Sequence, residues 1–167
     1  MATILELEKL RVLEKYNANL RPREFEDRRL YAGARLVKWF ADVLPHLGSS
    51  WKREETPEFQ VAYLLKKYVT GAVLTYDWQF HTLRPFENSV WELKTADVRI
   101  FGWFFRKDHF IGVVADLKQN ILDHSGIAGG YIGDVVRFRD RLDLNEPKLI
   151  EGKDPNNVVS NFTYPDR

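Results

Sequence analysis

The segment from Val90 to Lys118, VWELKTADVRIFGWFFRKDHFIGVVADLK, constrains the fold more than any other part of the chain. Thr95-Ala96-Asp97 and Arg106-Lys107-Asp108 are short polar turns that cut it into three runs rich in β-branched and aromatic residues. Turns this short leave no room for a crossover, so the runs 90–94, 98–105 and 109–117 are expected to form an antiparallel meander. In the middle run Val98, Ile100, Gly102 and Phe104 alternate with Arg99, Phe101, Trp103 and Phe105. Both faces are largely apolar, which predicts a central strand with helices covering at least one side.

The charges in this stretch admit two readings. Arg99 enters the sheet from its aromatic face, where it can lie over a ring or pair with Glu92 on the adjacent run. Alternatively, Lys94 and Arg99, which flank the same turn, converge on one mouth of the sheet and form an anion site.

The rest of the chain reads as one domain: a helical part at 1–75, the sheet and a helix at 76–144, and an extended tail at 145–167. Ile4, Leu7, Leu10 and Leu13 recur every three residues, with Tyr16 continuing the stripe, which predicts an amphipathic helix over 4–16. Pro22 is expected to open a second helix reaching Leu44, with Leu36, Val37, Phe40 and Leu44 on one face. Thr56-Pro57 is a helix start, a hydroxyl cap followed by proline at the first helical position. Phe59, Ala62, Tyr63, Leu65, Val69, Ala72 and Val73 are candidate buried positions of that helix, which should run to Leu74. Gly126, Gly129 and Gly130 mark a flexible joint. Tyr131, Val135, Phe138 and Leu142 then predict a C-terminal helix. The tail is expected to drape over the surface, anchored by Val158, Val159 and Phe162. Helices, a small antiparallel meander, a helix and a tail give the α+β class.

Composition excludes several functions. There is no cysteine, hence no disulfide, thiolate metal site or cysteine nucleophile. His46, His81, His109 and His124 are scattered, without the close spacing of a metal-binding helix, so neither metal nor cofactor is expected. The glycine-rich 126–133 segment lacks the Lys-Ser/Thr of a phosphate-binding loop. Arg137, Arg139 and Arg141 alternate with Asp134, Asp140 and Asp143, and Arg21–Arg29 is a similar mixture; both read as solvated, self-paired faces. No apolar run reaches the roughly 18 residues of a membrane span, and the N-terminus mixes acids and bases rather than forming a secretory signal. The reading is cytoplasmic, with no membrane partner. Twenty-five Lys and Arg against 24 Asp and Glu leave a net charge of +1, so any nucleic-acid site has to be a local basic patch.

VWELKTADVRIFGWFF, with Leu83-Arg84-Pro85 as its lead-in, resembles the core of the RelE/HigB-like toxin superfamily, including its phage-derived branch. Members read as a short aromatic-Glu-Leu-basic strand, a turn, an Arg-hydrophobic-aromatic strand and a third apolar strand. The resemblance covers about residues 83–118. It implies a small antiparallel sheet packed on N-terminal helices and a metal-independent endoribonuclease that cuts mRNA on the ribosome. In such an enzyme basic residues hold the scissile phosphate and the RNA 2′-hydroxyl is the nucleophile. By resemblance, Arg99 takes the place of the phosphate-binding arginine, Lys94 of the basic residue of the triplet and Glu92 of its acid. Lys118, Trp103 and Arg137 are the implied substrate-binding residues, with Tyr131 and His124 in the same C-terminal region. RNA or the ribosome, an antitoxin and a second copy of the chain are the implied partners.

The chain also departs from the family. It carries about seventy residues of added helix, is near neutral, and ends its third strand in Val-Ala-Asp-Leu-Lys. These departures motivate an alternative, a catalytically inactive accessory protein of phage or prophage origin that docks on a protein partner.

Overall fold

The three aromatic runs form the centre of a sheet larger than their turns alone foretell. The computed structural model describes residues 1–51 and 54–166. In chain order its elements are helix α1 (Ile4–Lys9), strands β1 (Leu13–Lys15) and β2 (Arg29–Gly33), and helices α2 (Ala34–Asp42) and α3 (Pro57–Val69). Strands β3 (Leu74–Thr75), β4 (Phe80–Thr82), β5 (Trp91–Lys94), β6 (Val98–Arg106) and β7 (His109–Leu117) follow. Helices α4 (Lys118–Asp123) and α5 (Ile127–Arg141) and strand β8 (Phe162–Thr163) complete the α+β fold.

The main sheet has the order β1-β2-β7-β6-β5-β4. It is mixed rather than purely antiparallel, because β2 runs parallel to β7. β3 and β8 form a separate parallel ribbon. Alternation along β6 divides two cores. Ile100 and Phe104 pack with Leu36 of α2 and Leu64, Leu65 and Tyr68 of α3. Phe101, Trp103 and Phe105 pack on the other face with Leu7 of α1 and Ile132 and Val135 of α5. Gly102 sits where the β6–β7 register shifts, and a Cβ there would lie 2.0 Å from the Ile111 carbonyl oxygen. Only a residue without a side chain lets the two strands approach this closely.

Four expectations are corrected. The first helix stops at Lys9, not Tyr16, because Arg11 turns left-handed (φ 58°) and the Val12 and Arg11 amides bond back to the Leu7 and Glu8 carbonyls. This is a Schellman closure made without glycine. It frees Leu13, 2% exposed, to pair with Gly33 in β1–β2. The second expected helix is strand β2 followed by α2. Leu30 and Ala32 face one core and Tyr31 the other, a two-sided burial that a strand satisfies and a helix does not. α3 ends at Val69, and Leu74 begins β3. Of the three glycines of the expected joint, only Gly126 adopts a left-handed conformation (φ 84°); Gly129 and Gly130 lie inside α5.

The tail does drape over the surface, with Val158 and Val159 each 1% exposed and Phe162 paired in β8. The two arginine-rich segments are not wholly solvated. Arg139 is 7% exposed and donates to the Asn88 and Ser89 carbonyls. Arg28 has no exposed surface at all. Its Nη1 donates to the Tyr68 carbonyl at 2.9 Å, and its Nη2 to those of Ala72, Ser160 and Asn161 at 3.0, 2.6 and 3.2 Å. Its Nε lies 3.5 Å from Asp108 Oδ1. Asp108, in the β6–β7 turn, also accepts the Ser160 amide and hydroxyl at 2.8 and 2.7 Å. Burial pulls the Arg28 guanidinium below the ordinary arginine range, and the Asp108 carboxylate opposes that pull. One cation thus joins β2, the end of α3, the β6–β7 turn and the tail.

Arg28→Met leaves Asp108 without its cation and the carbonyls without a donor. The expected loss of stability is about 3–5 kcal/mol, the usual cost of removing one partner of a buried pair, read as a lower urea midpoint at unchanged slope.

Candidate functional site

The β5–β6 turn, Thr95-Ala96-Asp97, forms the lip of a solvent-open cleft of about 820 Å³. Its walls are the first turns of α3, the Ser49–Trp51 segment, the Asp77–Gln79 turn between β3 and β4, and Lys118 at the start of α4. Gln60 of α3 locks these parts together. Its Oε1 accepts from Thr95 Oγ1 and the Asp97 amide, both at 3.0 Å, while its Nε2 donates to Asp97 Oδ2 at 2.6 Å and the Glu55 carbonyl at 3.1 Å. Asp97, 1% exposed, also accepts the Ser49 hydroxyl and the Ser50 amide. Every polar atom of this amide is satisfied, so the lip, the helix and the Ser49–Trp51 segment are held as a unit.

Among the described residues, three cations meet at the cleft: Lys94, Arg99 and Lys118. Lys94 Nζ donates to the Asp77 carbonyl at 2.7 Å. Burial holds its ammonium below the usual lysine range, and the nearby Arg99 and Lys118 charges add to the effect. Arg99 Nη1 donates to the Thr95 and Val98 carbonyls, and its Nε lies 3.8 Å from Glu92 Oε1. Burial lowers this guanidinium too, opposed first by Glu92. Lys118 Nζ sits 4.8 Å above the centre of the Trp51 ring. Arg99 thus lies beside Glu92 and also lines the cleft with Lys94 and Lys118.

Glu92 lies behind the cleft. Its Oε1 is 2.6 Å from His81 Nε2, a close approach without hydrogen-bond geometry. Trp103 and Arg137 are elsewhere. Trp103 is fully buried under α5, where its Nε1 donates to the Lys148 carbonyl at 2.8 Å. Arg137 stands on the outer surface of α5, paired with Asp134. Tyr131 donates to Asp116 Oδ2 at 2.6 Å outside the cleft, and burial with that bond pushes its pKa up to about 12. His124 caps nothing in the cleft; its Nδ1 lies 2.8 Å from the Asn120 carbonyl.

The rim of the cleft carries aromatic rings that belong to neither core. Trp51, Phe59, Tyr63 and Trp78 are 45%, 57%, 63% and 64% exposed, against the burial expected for Phe59 and Tyr63. Phe59 and Tyr63, one helical turn apart, stack with centroids 6.5 Å apart and planes at 19°. α3 carries two apolar stripes. The longer, Val61-Leu64-Leu65-Tyr68-Val69, wins the core and turns the shorter, Phe59-Ala62-Tyr63, outward. The relative length of the two stripes is the signal that separates them. Four exposed large rings around one cleft exceed the scattered apolar exposure normal for a surface.

Among the described residues, no group of three or more His, Asp or Glu is placed to hold a metal ion, and no helix is long and apolar enough to cross a membrane. Comparison of the chain with protein-family models, curated proteins and solved structures finds no match.

Gln60→Ala removes the lock and leaves the buried Asp97 carboxylate and amide short of partners. The expected cost is about 1–3 kcal/mol in urea unfolding, with faster amide exchange at Ser50 and Asp97.

Proposed function

We propose that the cleft binds single-stranded RNA and that the chain acts there as a RelE/HigB-like, metal-independent endoribonuclease. The observation that carries this reading is the convergence of Lys94, Arg99 and Lys118 beneath a rim of exposed aromatic rings in one cleft. Unpaired bases stack on aromatic faces while cations track the phosphates, and this combination is the usual physics of single-strand recognition. Near-zero net charge is no obstacle, because the basic residues are gathered locally.

For cleavage, the RNA 2′-hydroxyl gives its proton to solvent water as its oxygen attacks the adjacent phosphorus, the bond to the 5′-oxygen breaks, and a 2′,3′-cyclic phosphate and a 5′-hydroxyl remain. Charge builds on the non-bridging oxygens during the attack, and fixed cations stabilise it without reorganising. Arg99 is the rigid member of the set, braced by two carbonyls and by Glu92. Lys94, its ammonium destabilised by burial, gives up a proton more readily than an ordinary lysine and is assigned the proton transfer to the leaving oxygen.

The alternative, an inactive accessory protein that docks on a partner, draws on the same exposed rings, which resemble the aromatic anchors of protein interfaces. Induced expression in a bacterial host separates the two. The nuclease reading expects growth arrest with cleaved mRNA from the wild type, and cleavage reduced on the order of 10²-fold in a folded Lys94→Ala protein. Intact mRNA and undisturbed growth from the wild type overturn it and favour the docking protein.

Two binding measurements add detail. For a short oligoribonucleotide, Lys118→Ala is expected to lower the slope of log affinity against log salt by about 0.7, the contribution of one phosphate contact on a single strand. Affinity should be full below the lowered Lys94 pKa and fall as pH rises through it, before the ordinary lysine value of 10.5 is reached. The sign follows from an anion favouring the charged ammonium.

A further inference from the structure

The Asp77–Gln79 wall of the cleft runs from the small β3–β8 ribbon to β4 at the edge of the main sheet, so one of its two ends lies outside that sheet. It leaves β3, a strand of two residues, and passes through Asp77 in a left-handed conformation (φ 68°). Its foot is held by the tail. The Leu74 amide donates to the Asn161 carbonyl at 3.3 Å and the Tyr76 amide to that of Thr163 at 2.8 Å. Phe162 and Tyr164 then pack against the ring of Tyr76, with centroids 6.5 and 5.6 Å away, and Phe162 reaches Phe80 at 5.5 Å. From this foot the wall grips the cation of the cleft: the Asp77 carbonyl accepts Lys94 Nζ at 2.7 Å, and the Gln79 carbonyl accepts the Lys94 amide at 2.8 Å.

We infer that Phe162 and Tyr164 are positioning residues for the cleft, holding the Asp77–Gln79 wall and, through it, the ammonium of Lys94 where an RNA phosphate is bound. The RNA part of this statement rests on the function proposed above; the mechanical part does not. A ribbon of two-residue strands is a unit of low local stability, able to open while the six-stranded sheet stays closed. Tyr164 is 58% exposed, so its ring contributes little to either core.

The test uses the full chain carrying Phe162→Ala and Tyr164→Ala together, with Tyr164→Ala alone as the variant expected to fold if the pair does not. Three quantities are read: amide exchange at 74–80 against β6 and β7, acetylation of Lys94 relative to Lys118 by an acylating reagent, and affinity for a short oligoribonucleotide. The expected result is faster exchange confined to 74–80, faster Lys94 acetylation, and affinity lowered about tenfold, a size typical of residues acting at a distance from a ligand. Phe162→Leu with Tyr164→Phe should restore all three. Unchanged exchange and unchanged Lys94 acetylation overturn the inference, whatever the affinity does. Loosened exchange and acetylation with unchanged affinity overturn its positioning role. If the wild type binds no oligoribonucleotide, the RNA reading falls, while altered Lys94 acetylation still supports the coupling from tail to cleft.

Discussion

A guanidinium sealed from water organises this molecule. Burying a charge is costly unless it is paired and hydrogen-bonded, and Arg28 meets that condition only if several distant segments bring their carbonyls to one place. The end of α3 supplies some of these acceptors and the tail supplies others, while Asp108 balances the charge. Apolar residues could fill the same volume with comparable stability, but they would accept many arrangements. The cation accepts few, which ties the tail to one path over the surface. That path carries Asn161 and Thr163 to the foot of the cleft wall, so the clamp on one side of the molecule sets the geometry on another.

The cleft combines groups held at a cost with groups left free. Lys94 and Arg99 are both displaced from their ordinary ionisation by burial, and each is held by backbone carbonyls rather than by a carboxylate in direct contact. Carbonyls orient a cation without cancelling its charge, so much of the field remains directed into the cleft. Glu92 stands behind Arg99 at 3.8 Å, close enough to moderate the guanidinium and too far to form a bidentate pair. The exposed rings are the apolar counterpart of this arrangement: surface that folding could have buried and did not.

Much of the fold was legible in the sequence where local chemistry and tertiary demand agree. The meander and its turns, the Thr56 cap that accepts from the Phe59 amide, and the tail anchors Val158 and Val159 are of this kind. The failures have physical causes. Arg11 takes the left-handed position where glycine would have announced a helix end. Leu30-Tyr31-Ala32 is too short to distinguish a strand buried on both sides from a helical turn. Arg28 lies in a run of mixed charges whose pattern is that of a surface, and only its partners, 40 to 133 residues away in sequence, reveal otherwise. The site was half visible. Lys94 and Arg99 could be grouped because they flank one turn, and Lys118 was joined to them only through the family resemblance, whereas Trp51, Phe59, Tyr63 and Trp78 come from three separate segments with no shared motif. Trp103 and Arg137 lie on parts of the fold that do not line the cleft.

The span of the Arg28 clamp also governs the order of assembly. Its bond to Asn161 closes a separation of 133 residues, and strand β2 must wait for β7 to supply a parallel partner. Contacts this distant form late, because the chain between them has to be ordered first. The β6–β7 hairpin, in contrast, needs only its own turn. On a chain emerging from the ribosome, residue 28 is exposed long before residue 161 exists. Until then the guanidinium remains in water, β3 has no partner, and the wall that grips Lys94 has no foot. A partly made chain therefore presents the aromatic hairpin without the finished cleft, and the cleft is completed only with the segment that closes the clamp.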